Sequence, residues 1–350
     1  MEGIHNLIYF DNNATTRLDE RVEQAMQTAG NADAAALRQE SAMRMAQLIH
    51  CKPGELFFTT GITPAIHLLI ENSYEAYRHK GRHIITSQTE HAEVLKALEK
   101  LSVLGAEITY LGVDREGLVD ADALKAAIRN DTSQVIIMTA NNQTGVIQPI
   151  ERIAEICKQH GIFFFSDASQ YVGKLRCDVQ ELGVDALVFG SHKMHGPKEI
   201  GVLYIKEDTL LCKMMREKKH HEILLPAALL AGFAKAAEIC EQDRWENSAH
   251  VSKLKNYFEH QLLDVEGLRI NGSTRHRLYN TSNLTFPAKM QVASLAGQFK
   301  FMHYNSHTFY VLKAMGVAEE ELPNSFRFSF GKYNTLDEVK LLVEKIMALS

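Results

Sequence analysis

Residues 189–205 read FGSHKMHGPKEIGVLYI, placing Lys193 with Ser191, His192, His195 and Gly196 between two apolar, strand-like runs. An amine there becomes a nucleophile if desolvation and nearby cations keep part of it neutral. A second apolar run, FFFSDASQ, ends in Asp167, with Gln170 three residues on. Taken alone, Asp167 has a plainer use, capping the turn that follows its strand. An amine and a carboxylate that both follow buried strands converge at one sheet edge. Together they meet the needs of pyridoxal phosphate: a Schiff-base partner, and an anion that keeps the pyridine nitrogen protonated so that the ring acts as an electron sink.

Three further stretches carry weaker signals. In TTGIT (59–63) Gly61 permits a turn, and exposed helix-start amides with the Thr63 hydroxyl suit a phosphate, although Thr63 as an N-cap before Pro64 explains the same letters. SQTEHAEVLKALEKL has capping-box spacing from Ser87 to Glu90 and puts His91 in a first helical turn, where a neutral imidazole is favoured. Such a ring could stack on a cofactor; a surface histidine is the commoner use. TANNQTGVIQ ends an apolar run in Asn141 and Asn142, either turn formers or a donor to the cofactor's phenolic oxygen. Other templates fail: GPKEIG is followed by Val202 where a phosphate loop needs Lys and Ser or Thr, HHEIL lacks the second histidine of HExxH, and no GxGxxG occurs.

The elements that must position these residues follow a repeating pattern. Runs such as HIITS, QVIIMTAN, GIFFFSD, VDALVFGS and GVLYI alternate with amphipathic helical stretches, which predicts an α/β fold with a mostly parallel sheet. Ligands in such sheets sit at the carboxyl ends of the strands. From about residue 210 the pattern turns helix-rich, then gives LYNTSNLTF, SFRFSFG and two terminal helices, a smaller α+β unit with a boundary near 240–250. The chain has 350 residues, 45% hydrophobic and 23% charged, with net charge −5, and points to neither nucleic acid nor membrane as a partner. With no leader and no membrane-length apolar span, a cytoplasmic location is expected. The five cysteines form no CxxC pair and no Cys/His metal spacing, so reduced thiols and no metal site are expected.

In order along the chain, YFDNNATTRLDERV, TEHAEVL, NNQTGVIQPI, SDASQYVGK, SHKMHGPKEIGVLY, NTSNLTF and SFRFSFGKYNT give it a clear likeness: it resembles the cysteine desulfurases, within the class V aminotransferase group of fold-type-I pyridoxal phosphate enzymes. The resemblance runs nearly end to end. It implies a large cofactor-binding domain over 12–245 with a mostly parallel seven-stranded sheet, and a small domain from 1–11 and 246–350. It implies that Lys193 carries the Schiff base and shuttles protons on the substrate carbon. Asp167 would pair with the pyridine nitrogen, Gln170 and Asn142 would contact the phenolic side, and His91 would stack on the ring and share in catalysis. Thr63, Ser191 and His192 would hold the phosphate. Asn13 and Arg327 would bind the substrate, with Arg327 clamping its carboxylate. The family is homodimeric and can pass sulfur to an acceptor protein.

The chain also departs from the family's pattern. Desulfurases attack the sulfur of cysteine with a loop cysteine carried shortly before the motif matched by FYVLKAMG (309–316), yet no cysteine follows Cys240. MMREKKHHEILLPA replaces a glycine-rich Arg-Ser-Gly-Thr stretch, and QTAGNADAAAL is short. Pro64, Gln143 and Glu199 stand where glutamate, glutamate and glycine are usual. Two readings follow. One is an enzyme acting on L-cysteine or a related amino acid without a protein thiol, for example by β-elimination; the other is a catalytically weak relative kept as a binding or assembly partner. The set Lys193, Asp167, Gln170, His91 and Arg327 favours the first, because a scaffold has no chemical need of it.

Overall fold

The computed structural model describes residues 7–30, 33–220, 223–304 and 308–350. Three of the departures reach beyond them: Asn31 and Ala32, His221 and Glu222, and Asn305 to His307 lie outside the described residues. After a two-residue strand β1 (Ile8–Tyr9), seven strands build the main sheet: β2 (Leu56–Thr59), β3 (His83–Ser87), β4 (Glu107–Leu111), β5 (Thr132–Ile136), β6 (Phe163–Asp167), β7 (Ala186–Gly190) and β8 (Gly201–Ile205). Their order is β2-β8-β7-β6-β5-β3-β4, and β8 runs antiparallel to both of its neighbours. The expected α/β fold with a mostly parallel seven-stranded sheet is present.

Period-two alternation explains why the sheet is covered on both faces. Phe58, Ile85, Val135, Phe164, Leu187 and Val202 enter one apolar layer. Their chain neighbours Phe57, Ile84, Ile136, Phe163, Ala186 and Leu203 enter the other. With both faces buried, the strands read as continuous apolar runs, as their sequences do. One expectation shifts: QVIIMTAN is paired as β5 only through Ile136, and Met138–Asn142 continue as irregular chain toward the site.

A four-stranded sheet of order β12-β13-β10-β9 follows, from β9 (Arg269–Ile270), β10 (Thr281–Thr285), β12 (Met302–His303) and β13 (Ser325–Ser329), while β11 (Phe299–Lys300) pairs with β1. Its two phenylalanines, Phe326 and Phe328, pack with Phe258 and Phe286 in a separate core. The helix Ala227–Leu262 serves both parts: Leu230, Phe233 and Ala237 join the first core, and Val251, Leu254 and Phe258 the second. The boundary expected at 245 therefore falls inside one continuous helix. The chain start also crosses over, because Asp11 bridges to Ser329.

Candidate active site

Five strand ends deliver the site, that of β5 through Met138–Asn142. Beyond β2 the chain turns through Gly61 into the helix Ile62–Tyr77; beyond β3 it reaches His91 at the start of the helix Ala92–Val103; β6 ends at Asp167; β7 leads into the turn Ser191–Lys193. These ends surround a cavity of about 440 Å³ whose lining includes Thr63, His91, Asn142, Asp167, Gln170, His192 and Lys193. Ser191, Asn13 and Arg327 are not part of that lining, although all three are buried beside it.

Lys193 donates from Nζ to the carbonyls of Asn13 and Ala14, both at 2.7 Å. Burial, reinforced by Arg327, pulls its pKa down to about 8, against the opposing pull of Asp167 and Asp11. The neutral fraction this leaves, about a tenth at pH 7, is the form a Schiff-base lysine draws on. The charge of Lys193 also helps burial hold His192 down at about 4. His91 is likewise lowered, first by burial, with Lys193 adding and Asp167 opposing.

Two local expectations are corrected. Thr63 is not the N-cap; Gly61 is, at φ +136° and with no side-chain cap bond, so Thr63 and Pro64 lie inside the first turn. Pro64 removes one amide donor, and the Ile62 and Thr63 residues face the cavity with helix-start amides. Ser87 and Glu90 form no capping box. Ser87 Oγ donates to Glu90 Oε1 at 2.7 Å, the Met138 amide donates to the same oxygen at 3.0 Å, and His91 itself is the N-cap, its Nδ1 accepting from the Glu93 amide at 3.3 Å. That bond requires an unprotonated Nδ1, so the ring is neutral with its proton on Nε2.

Asp167 keeps its plain role as well as its cavity position: Oδ1 accepts from the Ser169 amide at 2.9 Å, which leaves Oδ2. The two asparagines divide their uses. Asn141 Oδ1 takes the Gln143 and Thr144 amides and closes a turn, whereas Asn142 Oδ1 is buried with no partner. Ser169 Oγ, at the cavity, and Ser191 Oγ, behind it, are also unpartnered.

Sequence reasoning missed Asp11, which forms an ion pair with the Arg327 guanidinium; that guanidinium also donates to the Asn142 carbonyl at 2.8 Å, and its Nε has no partner. It missed Lys174 too, although SDASQYVGK was in view, and it missed the carbonyl of Asn13, which accepts from both Lys193 and Gln170 (2.7 and 2.9 Å). Main-chain acceptors leave no mark in a sequence. Among the described residues no His, Cys, Asp or Glu group is placed to hold a metal ion, and no helix is long and apolar enough to cross a membrane.

With this geometry in hand, comparison with known proteins fixes the class. The aminotransferase class-V profile matches residues 8–221, and the chain belongs to that family. More particularly, it is 35% identical to the cysteine desulfurase IscS of Neisseria meningitidis, over 97% of this chain and 91% of that protein. Among solved structures, a NifS-like protein superposes with a TM-score of 0.88 at 30% identity, covering 98% of this chain and 99% of that one. A second, described as SspA in complex with cysteine, gives 0.80 at 27%, covering 94% and 100%. The chain is a pyridoxal-phosphate-dependent enzyme of the cysteine desulfurase group with the fold-type-I architecture.

The residues present fit that cofactor. An open helix start with Thr63, orphaned oxygens on Asn142 and Ser169, and a low-pKa lysine with a carboxylate share one cavity. All five cysteines are among the described residues: Cys157, Cys177, Cys212 and Cys240 are buried, Cys51 is half-buried, and none lines the cavity. Burial pushes Cys157, Cys177 and Cys240 up to about 12, so these three are poor thiolates.

Proposed function

We propose that this enzyme cleaves the β-carbon–sulfur bond of L-cysteine or a related amino acid such as cystine, without storing sulfur on a thiol of its own. The observation that supports this reading is the cavity itself: Lys193, Asp167, Gln170 and His91 line it and no cysteine does. When bound, pyridoxal phosphate supplies an electron sink that stabilises negative charge at the substrate α-carbon. Lys193 would hold it covalently and would be the base placed to take and return the proton at that carbon. Asp167 would hold a proton on the ring nitrogen through its uncommitted Oδ2, and His91 would cover the ring as a neutral imidazole. Gln170 and Asn142 face the phenolic side. Thr63, His192 and Ser191 hold the phosphate, with helix-start amides adding donors. Arg327 would receive the substrate carboxylate through its unpartnered Nε edge, and Asn13, expected to share in this, would do so only by giving up an amide proton now donated to the Asn142 carbonyl or Thr281 Oγ1.

The balance of the reaction is simple. Cystine and water give pyruvate, ammonia and thiocysteine; cysteine and water give pyruvate, ammonia and sulfide. A desulfurase would instead give alanine and leave the sulfur on an acceptor thiol. In this reading the protein works in the cytoplasm as a homodimer, with a large unit over 12–245 and a small unit from 1–11 and 246–350. The outer sulfur of thiocysteine passes to a thiol of an acceptor protein, which leaves cysteine; sulfide from cysteine is released as such. The test is a product assay on the purified holoenzyme with cystine and cysteine: pyruvate with ammonia supports elimination. No turnover of any amino acid would favour a binding or assembly role instead.

A further inference from the structure

Lys174 is 7% exposed and has no carboxylate among its hydrogen-bond partners. Its Nζ donates to Gln170 Oε1 at 2.9 Å and to the Gln170 carbonyl at 3.2 Å. Lys193 and Arg327 bear on it electrostatically; burial first, then these two cations, bring its pKa down to about 7, against the pull of Cys240. A lysine is seldom buried without a paired charge. Its burial within electrostatic reach of Lys193 calls for a use.

The use lies in the amide it touches. The two ends of a glutamine amide are nearly the same shape, so hydrogen bonding alone decides which end points where. At Gln170 both ends are decided: Oε1 receives Lys174, and Nε2 donates to the Asn13 carbonyl at 2.9 Å. Reversing the amide would set an oxygen against the Asn13 carbonyl and, when Lys174 is protonated, N–H groups against its ammonium. Gln170 also lines the cavity that holds Lys193. The remaining Nε2 proton is therefore free for an acceptor there.

We propose that Lys174 is a positioning residue that locks the Gln170 amide so that it presents N–H, never C=O, to the phenolic oxygen of pyridoxal phosphate. This rests on the cofactor site proposed above. A hydrogen bond donated to that oxygen favours its ionised form. Lys174 thereby tunes the cofactor without touching it.

The test reads the pH midpoint of the visible absorbance of lysine-bound pyridoxal phosphate in the wild type, Lys174→Met, Gln170→Leu and the double variant. Either single change should raise the midpoint, by about 0.5–1 pH unit. In the Gln170→Leu background, Lys174→Met should add less than about 0.2 unit, because its effect passes through the amide. An equal shift in both backgrounds would show Lys174 acting by charge alone and would overturn the proposal. Lys174→Gln removes the charge but keeps an N–H donor, so it should keep the wild-type midpoint; a shift as large as that of Lys174→Met contradicts the proposal, and this variant decides the matter if Lys174→Met does not fold. A wild type that takes up no cofactor would instead refute the underlying site.

Discussion

The amine of Lys193 rests 2.7 Å from the main-chain carbonyl of Asn13, a residue 180 positions earlier in the chain. The strap Asp11–Thr16 thus closes over the site: its Thr16 amide and hydroxyl both bond to the His192 carbonyl at 3.0 Å, and its Asn13 amide bonds to Ser329 Oγ at 2.9 Å. The strap ties the lysine turn to β13, which carries Arg327. In the proposed reading, the Asn13 and Ala14 carbonyls would give Lys193 a resting place whenever it is not bound to the cofactor.

Cofactor uptake should follow the neutral fraction of Lys193. With its pKa lowered to about 8, the rate at which apo-protein gains visible absorbance from pyridoxal phosphate should rise about tenfold per pH unit below that value and level off above it. Lys193→Ala should bind without a covalent link. A rate still climbing steeply between pH 9 and about 10, as for an ordinary lysine, would contradict the buried-amine geometry.

Glu90 gives a stability prediction with a definite sign. Burial is the main cause that lifts its pKa to about 8, and its Oε2 has no partner. Because its folded pKa lies above the unfolded value, the folded state binds more protons between about 4.5 and 8, and stability falls as pH rises through that window. Glu90→Gln removes the slope. Its urea midpoint relative to wild type should rise from pH 5 to pH 8 and stay level beyond, while a pH-independent difference would mean that Glu90 is ionised in the fold.

Much of the site was legible because each side chain sits where a buried strand stops. Asp167 and Lys193 follow such runs directly, and the cavity holds both. The helix starts were less legible: Gly61 rather than Thr63 caps, since a glycine at φ +136° can turn the chain where threonine cannot. Asp11, Lys174 and the Asn13 carbonyl escaped because their meaning is entirely tertiary; each acts on a residue far away or through the main chain. The helix Ala227–Leu262 hid the boundary in the same way, as its two halves serve different cores.

Asp11 neutralises Arg327 in a nearly water-free setting, the two side chains being 10% and 3% exposed. Asp11→Ala leaves an uncompensated buried guanidinium and should cost about 3–5 kcal/mol in urea denaturation. A loss below about 1 kcal/mol would place the pair among those that water screens.

Glu199 holds a left-handed backbone, φ +64°, at the cavity rim, where relatives are expected to carry glycine. Glu199→Gly should therefore raise stability by about 1 kcal/mol in chemical denaturation. No gain would mean that its side chain contributes as much as the backbone strain costs.

The most direct measurement is the product balance of the purified holoenzyme. With cystine as substrate, pyruvate and ammonia should form in equal amounts; with cysteine, sulfide should accompany pyruvate and no sulfur should remain on the protein. Rapid alanine formation from cysteine, with persulfide detected by mass spectrometry on one of the five cysteines, would contradict a site that works without its own thiol.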